Sequence, residues 1–118
     1  MNEVQNLDLR TWIADPAQVV LSWPGYFAPG KPIHRAIAEL DVGAELILRV
    51  RSDGKPGWEI ANNKGVTVAQ MARAFSPPDG EILAVRVAAV LVRQKKSGGQ
   101  EYCNKWEVVL PEIVYSVK

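Results

Sequence analysis

From Glu45 to Arg51 apolar and polar positions alternate. Leu46, Leu48 and Val50 point one way and Glu45, Ile47, Arg49 and Arg51 the other, the period of a half-buried strand. Asp53-Gly54 and Pro56-Gly57 then mark a turn, Trp58 to Ala61 supplies a second strand, and Asn62-Asn63-Lys64-Gly65 makes a hairpin loop into Val66 and Thr67. A different period follows. Val68, Met71, Ala72 and Phe75 fall on one helical face, Thr67 and Gln70 occupy N-cap and capping-box positions, and Ser76-Pro77-Pro78 stops the run, which predicts a short helix with Arg73 off its apolar stripe. Another helix is predicted from Pro32, where Ile33, Ala36, Ile37 and Leu40 follow the i, i+3, i+4, i+7 spacing.

Glu81 to Arg93 is apolar on both parities and rich in valine, the pattern of a strand covered on both sides. It is longer than the usual ~5 to 6 residues, which predicts a bend. The polar loop Gln94 to Gln100 turns it back into Tyr102 to Leu110. Pro111 breaks that strand, and Ile113, Val114 and Tyr115 follow as an edge strand or extended segment. Upstream, Gln18 to Trp23 is a strand candidate, and Trp23 to Gly30 is a stiff aromatic loop punctuated by proline and glycine. Residues 1–15 show no sustained period and read as an N-terminal arm packing through Leu7, Leu9, Trp12 and Ile13, which leaves residues 16–118 as one β-rich domain.

These elements predict an α+β, mainly β fold: a small antiparallel, partly open β-barrel or strongly curved sheet with two short helices. A two-layer α/β sandwich accommodates the same elements. The 118 residues, 47% of them apolar, suffice for one core without staples. With Cys103 the only cysteine, an internal disulfide and a multi-cysteine zinc site are both excluded. No apolar run approaches the ~20 residues of a membrane span, and the polar opening Met1-Asn2-Glu3 does not resemble a signal peptide, so the expected setting is soluble and cytoplasmic, with no membrane partner.

The formal net charge of +1 conceals an uneven distribution. Residues 1–45 carry three cations against six carboxylates, whereas residues 46–96 carry nine against four. A basic middle on a nearly neutral chain is the footprint of a polyanion-binding face. Arg49 and Arg51 on one strand face, Lys55 and Lys64 at turns, Arg73, and Arg93, Lys95 and Lys96 at the hairpin are the candidate phosphate contacts. Trp58 and Trp106 are candidate stacking surfaces, against which stands the large apolar area that favours burying a tryptophan. Trp23, Tyr26 and Phe27, held by Pro24 and Pro29, form a second candidate surface, suited to docking a partner protein.

Catalytic groups are few. His34 lies off the apolar stripe of its helix and is expected to be exposed, and Cys103 is expected to act as a small, partly buried side chain. A Cys103–His34 dyad is formally available, but neither residue sits in a nucleophile-elbow or oxyanion-loop pattern. Gly30-Lys31-Pro32 and Gly54-Lys55-Pro56 lack the upstream glycine and the Ser/Thr of a phosphate-binding loop. One histidine and one cysteine leave a tetrahedral metal site incomplete without carboxylates, so neither metal nor cofactor is expected and the chain reads as non-catalytic.

Several runs carry a family resemblance: Gly43-Ala44-Glu45-Leu46-Ile47-Leu48, Gly57-Trp58-Glu59-Ile60, Val68-Ala69-Gln70-Met71-Ala72 and, most specifically, Lys105-Trp106-Glu107-Val108-Val109-Leu110-Pro111-Glu112-Ile113-Val114-Tyr115. Over roughly residues 15 to 115 the chain resembles the domain that follows the motor in some bacterial RecQ-like ATP-dependent DNA helicases. More loosely it is similar to HIRAN-type modules, small β-barrels that accompany helicases and bind DNA ends. The resemblance implies a bacterial accessory domain in DNA repair that binds DNA, single-stranded or at a duplex end, or docks a helicase motor in cis or in trans. Helicase motor motifs are absent from the sequence, so unwinding is not implied for this chain.

Overall fold

The computed structural model describes residues 8–117. Leu7, assigned to the arm, lies outside the described residues. Six strands run as β1 (Asp8–Ile13), β2 (Ile47–Val50), β3 (Trp58–Ala61), β4 (Thr67–Gln70), β5 (Glu81–Gln94) and β6 (Lys105–Val117), and α1 (Pro32–Ala38) is the one α-helix among the described residues. They form two antiparallel three-stranded sheets, ordered β1-β6-β5 and β2-β3-β4, and neither closes on itself. The fold is α+β and mainly β. An antiparallel bridge between Glu45 and Arg86, with backbone bonds from Leu46 to Val85 and from Gly43 to Val87, stitches the start of β2 to the outer edge of β5. Val19 bridges Met71 just beyond β4.

The long paired strands bend as their length predicts. The β5–β6 register shifts between Ile82 and Ala84 and again between Val87 and Ala89, so β5 carries an extra residue at each place. The second shift explains why β6 continues where the sequence predicts a break. Pro111 has no N–H to give to a central strand, but it sits opposite Val87 beside the irregularity while its carbonyl accepts from Ala14 N–H. The segment predicted as a separate edge strand is therefore the second half of β6.

Three further predictions are corrected. The helix expected over Val68 to Phe75 is absent: Thr67–Gln70 is β4, and Met71 N–H donates to the Trp58 carbonyl. Its apolar positions are still satisfied, since Val68, Met71 and Phe75 are all buried by a strand followed by a turn. Thr67 caps nothing, because its hydroxyl is committed to Arg49 and Glu59 across the sheet. Gln18 to Trp23 is not a strand either; short 3-10 turns at Pro16–Gln18 and Trp23–Tyr26 flank the single bridge at Val19. Within the arm, residues 8–13 are β1 paired to β6. Trp12 packs on Phe75 with ring centroids 5.3 Å apart, whereas Leu9 and Ile13, expected to pack inward, are 55% and 59% exposed.

The core lies between the sheets and under α1, through Ile33, Ile37, Ile60, Val68, Val108 and Ile113. Trp106, on the central strand β6, fastens the irregular Val19 to Phe27 segment to it. Its indole N–H donates to the Leu21 carbonyl at 2.8 Å, and its ring lies directly over Gly25. Gly25 in turn accepts the N–H groups of Tyr102 and Cys103 on its carbonyl. A Cβ at Gly25 would fall 2.8 Å from the indole Cδ2, so the ring or the segment must shift to admit it. Gly25→Ala is expected to lower stability by about 1 to 3 kcal/mol, the scale of overpacking, measured by urea unfolding with an unchanged m-value. An unchanged midpoint would show that the ring can shift freely.

Candidate nucleic-acid interface

Three of the candidate cations converge. Arg51 follows β2, Lys55 sits in the turn before β3, and Arg73 follows β4; together they line a cavity of about 410 Å³ with Gln70, Pro56 and Met71. No carboxylate lines it. Arg51 and Gln70 also line an adjoining cavity of about 540 Å³, whose other walls include Trp23, Phe27, Lys31 and the carboxylates Asp53 and Glu59. The two cavities thus make a groove, cationic at one end and aromatic at the other. Trp23 and Phe27 meet edge to face, with ring centroids 5.0 Å apart and planes at 74°.

The turn that presents Lys55 is built by Asp53. Its Oδ1 accepts the Lys55 backbone N–H at 3.0 Å and the Arg51 Nε–H at 3.2 Å, and Gly54 takes the positive φ of 82° that the turn requires. The hydrogen bond from the Arg51 side chain, followed by that from the Lys55 backbone, holds the Asp53 carboxyl below its ordinary value. Asp53 therefore stays ionised beside the cations and offsets part of their field.

Arg49 is engaged elsewhere. Its Nε donates to Glu59 Oε2 at 2.8 Å, and its Nη2 donates to the Gly65 carbonyl and the Thr67 hydroxyl, each at 3.1 Å. Arg49 and Glu59 are directly opposite in the β2–β3 register. Burial pushes the Glu59 carboxyl up, but hydrogen bonds from Arg49, Ser52 and Thr67 outweigh it and hold the group below its ordinary value of 4.5. The Arg49 guanidinium is thus a structural partner of a buried carboxylate, and its removal would leave that charge without compensation.

Of the remaining candidates, Trp58 is half-buried against the core and Trp106 is 5% exposed, so Trp106 offers no stacking surface. Lys64 is exposed in the β3–β4 turn and lines neither cavity. Arg93, Lys95 and Lys96 sit at the tip of the β5–β6 hairpin, also outside the groove, where Lys95 Nζ donates to the Glu101 carbonyl. Tyr26 is 47% exposed, while Trp23 and Phe27 are half-buried. Lys31, Gln70 and Asp53 belong to the groove and were not among the sequence candidates. For Asp53 a signal exists, because Asp-Gly before a lysine predicts a turn whose carboxylate caps the lysine N–H.

His34 and Cys103, far apart in sequence, are brought together: Cys103 Sγ lies 3.5 Å from His34 Nε2. Both face the Phe27 carbonyl oxygen, at 2.7 Å from Nε2 and 3.1 Å from Sγ. A carbonyl oxygen only accepts, so Nε2 carries the proton and has no lone pair for the thiol. His34 is half-buried rather than exposed. Among the described residues no three His, Cys, Asp or Glu side chains converge as a metal site, and no helix is long and apolar enough to cross a membrane.

Comparison with protein-family models, curated proteins and solved structures gave no match to this chain.

Glu59→Gln is expected to remove the stability that the Arg49 pair contributes, about 1 to 2 kcal/mol at neutral pH for a bond to a partly exposed guanidinium. Because the folded value of Glu59 is lowered, this contribution is fully present above pH 4.5 and is lost as the pH falls through the folded value. Urea midpoints measured between neutral and acid pH should therefore fall less steeply in the variant than in the parent. Parallel curves would mean that Glu59 is not what couples this sheet to pH.

Proposed function

We propose that this chain is a non-catalytic accessory domain of a DNA helicase system that binds single-stranded DNA or a duplex end in the groove between Trp23 and Arg73. The observation that carries the reading is the convergence of Arg51, Lys55 and Arg73 on one cavity whose lining holds no carboxylate. Phosphates bind where cations are concentrated, here offset only in part by Asp53, and the aromatic end of the same groove supplies the apolar surface that an unstacked base needs. The helicase association rests on the sequence resemblance alone. On this reading the two stitched sheets serve as a partly open barrel with the groove on its side.

Docking of a helicase motor is the second reading, favoured by the exposed Tyr26 beside Trp23 and Phe27. Tyr26→Ala separates the two: it should leave DNA affinity nearly unchanged and weaken capture of a motor.

Fluorescence anisotropy with labelled single-stranded, blunt and 3′-overhang DNA at two salt concentrations tests the proposal. Lys55→Ala and Arg73→Ala should each weaken binding and reduce the slope of log affinity against log salt by about 1. Asp53→Asn should do the opposite and tighten binding, because it removes the one anion held against Arg51. Salt-independent binding, or affinity unaffected by all three variants, would rule out the groove.

A further inference from the structure

We infer that the open edge of β1 pairs with β1 of a second copy of this chain, antiparallel and centred on Thr11, to join two three-stranded sheets across a twofold axis. β1 lies at the edge of the β1-β6-β5 sheet, and among the described residues no strand pairs with its outer side. The inner side fixes the phase of its backbone. Ala14 N–H donates to the Pro111 carbonyl, so the alternation of the ladder turns the backbone groups of Trp12 and Arg10 toward β6 and those of Leu9, Thr11 and Ile13 outward. Side chains alternate with the same period. Trp12 packs on Phe75, which puts Leu9, Thr11 and Ile13 together on the other face, with Leu9 55% and Ile13 59% exposed.

The two phases together suit a copy of the same strand. An axis at Thr11 sets Thr11 against Thr11 and Leu9 against Ile13 in both directions. All three are hydrogen-bonded pairs, so the outward N–H and C=O groups are satisfied at once while the exposed aliphatic side chains cover each other. On the opposite face Arg10 comes to lie across from Trp12 of the second copy, cation beside ring. The charges of the strand, Asp8 and Arg10, are already paired with each other, and the Leu9 face carries none. The other edge of the sheet is guarded. Gly43 to Leu46 takes up Val85 and Val87, and the rest of β5 runs out into Arg93, Lys95 and Lys96, cations that oppose the addition of a strand. Pairing through a twofold axis closes on itself, so it yields a dimer rather than a fibre. One strand pair falls below the ~800 Å² per partner of a standard interface, so the association is weak and needs high protein concentration. This surface does not depend on anion binding in the groove.

Sedimentation equilibrium of the intact chain over a rising concentration series tests the pairing. The parent should pass from monomer to dimer. Thr11→Pro removes an outward N–H and leaves every β1–β6 bond in place, so it should weaken association about 10-fold or more through the two bonds lost across the axis. Ile13→Lys, which sets a cation in both apolar pairs, should do the same and decides the matter if circular dichroism shows the proline variant misfolded. In a dimer mixed from isotope-labelled and unlabelled protein, a methyl NOE between Leu9 and Ile13 is expected. Along one strand these residues stand about 13 Å apart, so that signal arises only between copies. A parent that stays monomeric throughout, a dimer that a folded variant leaves intact, or a dimer without this NOE would overturn the proposal.

Discussion

The Trp106 indole over Gly25 is the contact on which the rest of the arrangement depends. One end of the Val19 to Phe27 segment is held to β6 by that ring, by its N–H bond to Leu21 and by the Gly25 carbonyl, and the other reaches the second sheet through the Val19–Met71 bridge. An irregular loop thereby becomes a strut between two sheets that also meet along the Glu45–Arg86 edge and across the shared core. The geometry of the strut also sets the groove, because Trp23 and Phe27 form one wall and Arg51 and Gln70 the other. Anything that loosens Trp106 should loosen the groove.

Charge in the central part of the chain is divided between two tasks by the carboxylate each arginine meets, buried Glu59 for Arg49 and exposed Asp53 for Arg51. Arg49 is close enough to the buried Glu59 to be consumed in balancing it, and its remaining N–H groups are taken by Thr67 and the Gly65 carbonyl. Arg51, two residues on, lies past the end of β2; its own side chain is more buried than that of Arg49, but its partner Asp53 is an exposed carboxylate that solvent screens. Lys55 and Arg73 are exposed at turns and carry no such commitment to the core.

Much of the β architecture was legible because its signals are local. The alternation of Glu45 to Arg51, the hairpin residues at Asn62 to Gly65 and the long valine-rich run before Gln94 each dictate a strand or turn without reference to the rest of the chain. The missed helix at Val68 to Phe75 shows the limit: its apolar spacing suits a helix and also a strand followed by a turn, and tertiary pairing to Trp58 and Gln18 decided between them. Pro111 misled for a related reason, since a bulge on the neighbouring strand, invisible locally, makes room for it. In the groove, sequence could nominate Arg51, Lys55 and Arg73 as cations but could not separate them from Arg49 or from the hairpin lysines. That separation depends on which turns fold beside each other. The meeting of His34 with Cys103 is likewise a product of topology, across 69 residues of chain.

The most direct measurement of the central claim is a backbone amide NMR titration of the protein with a short single-stranded oligonucleotide at low salt. The account predicts shifts confined to Trp23 to Lys31, Arg51 to Gly57 and Gln70 to Arg73, with the amides of Arg93 to Lys96 at the hairpin tip unmoved. Shifts that concentrate at the hairpin tip and spare the groove would contradict it.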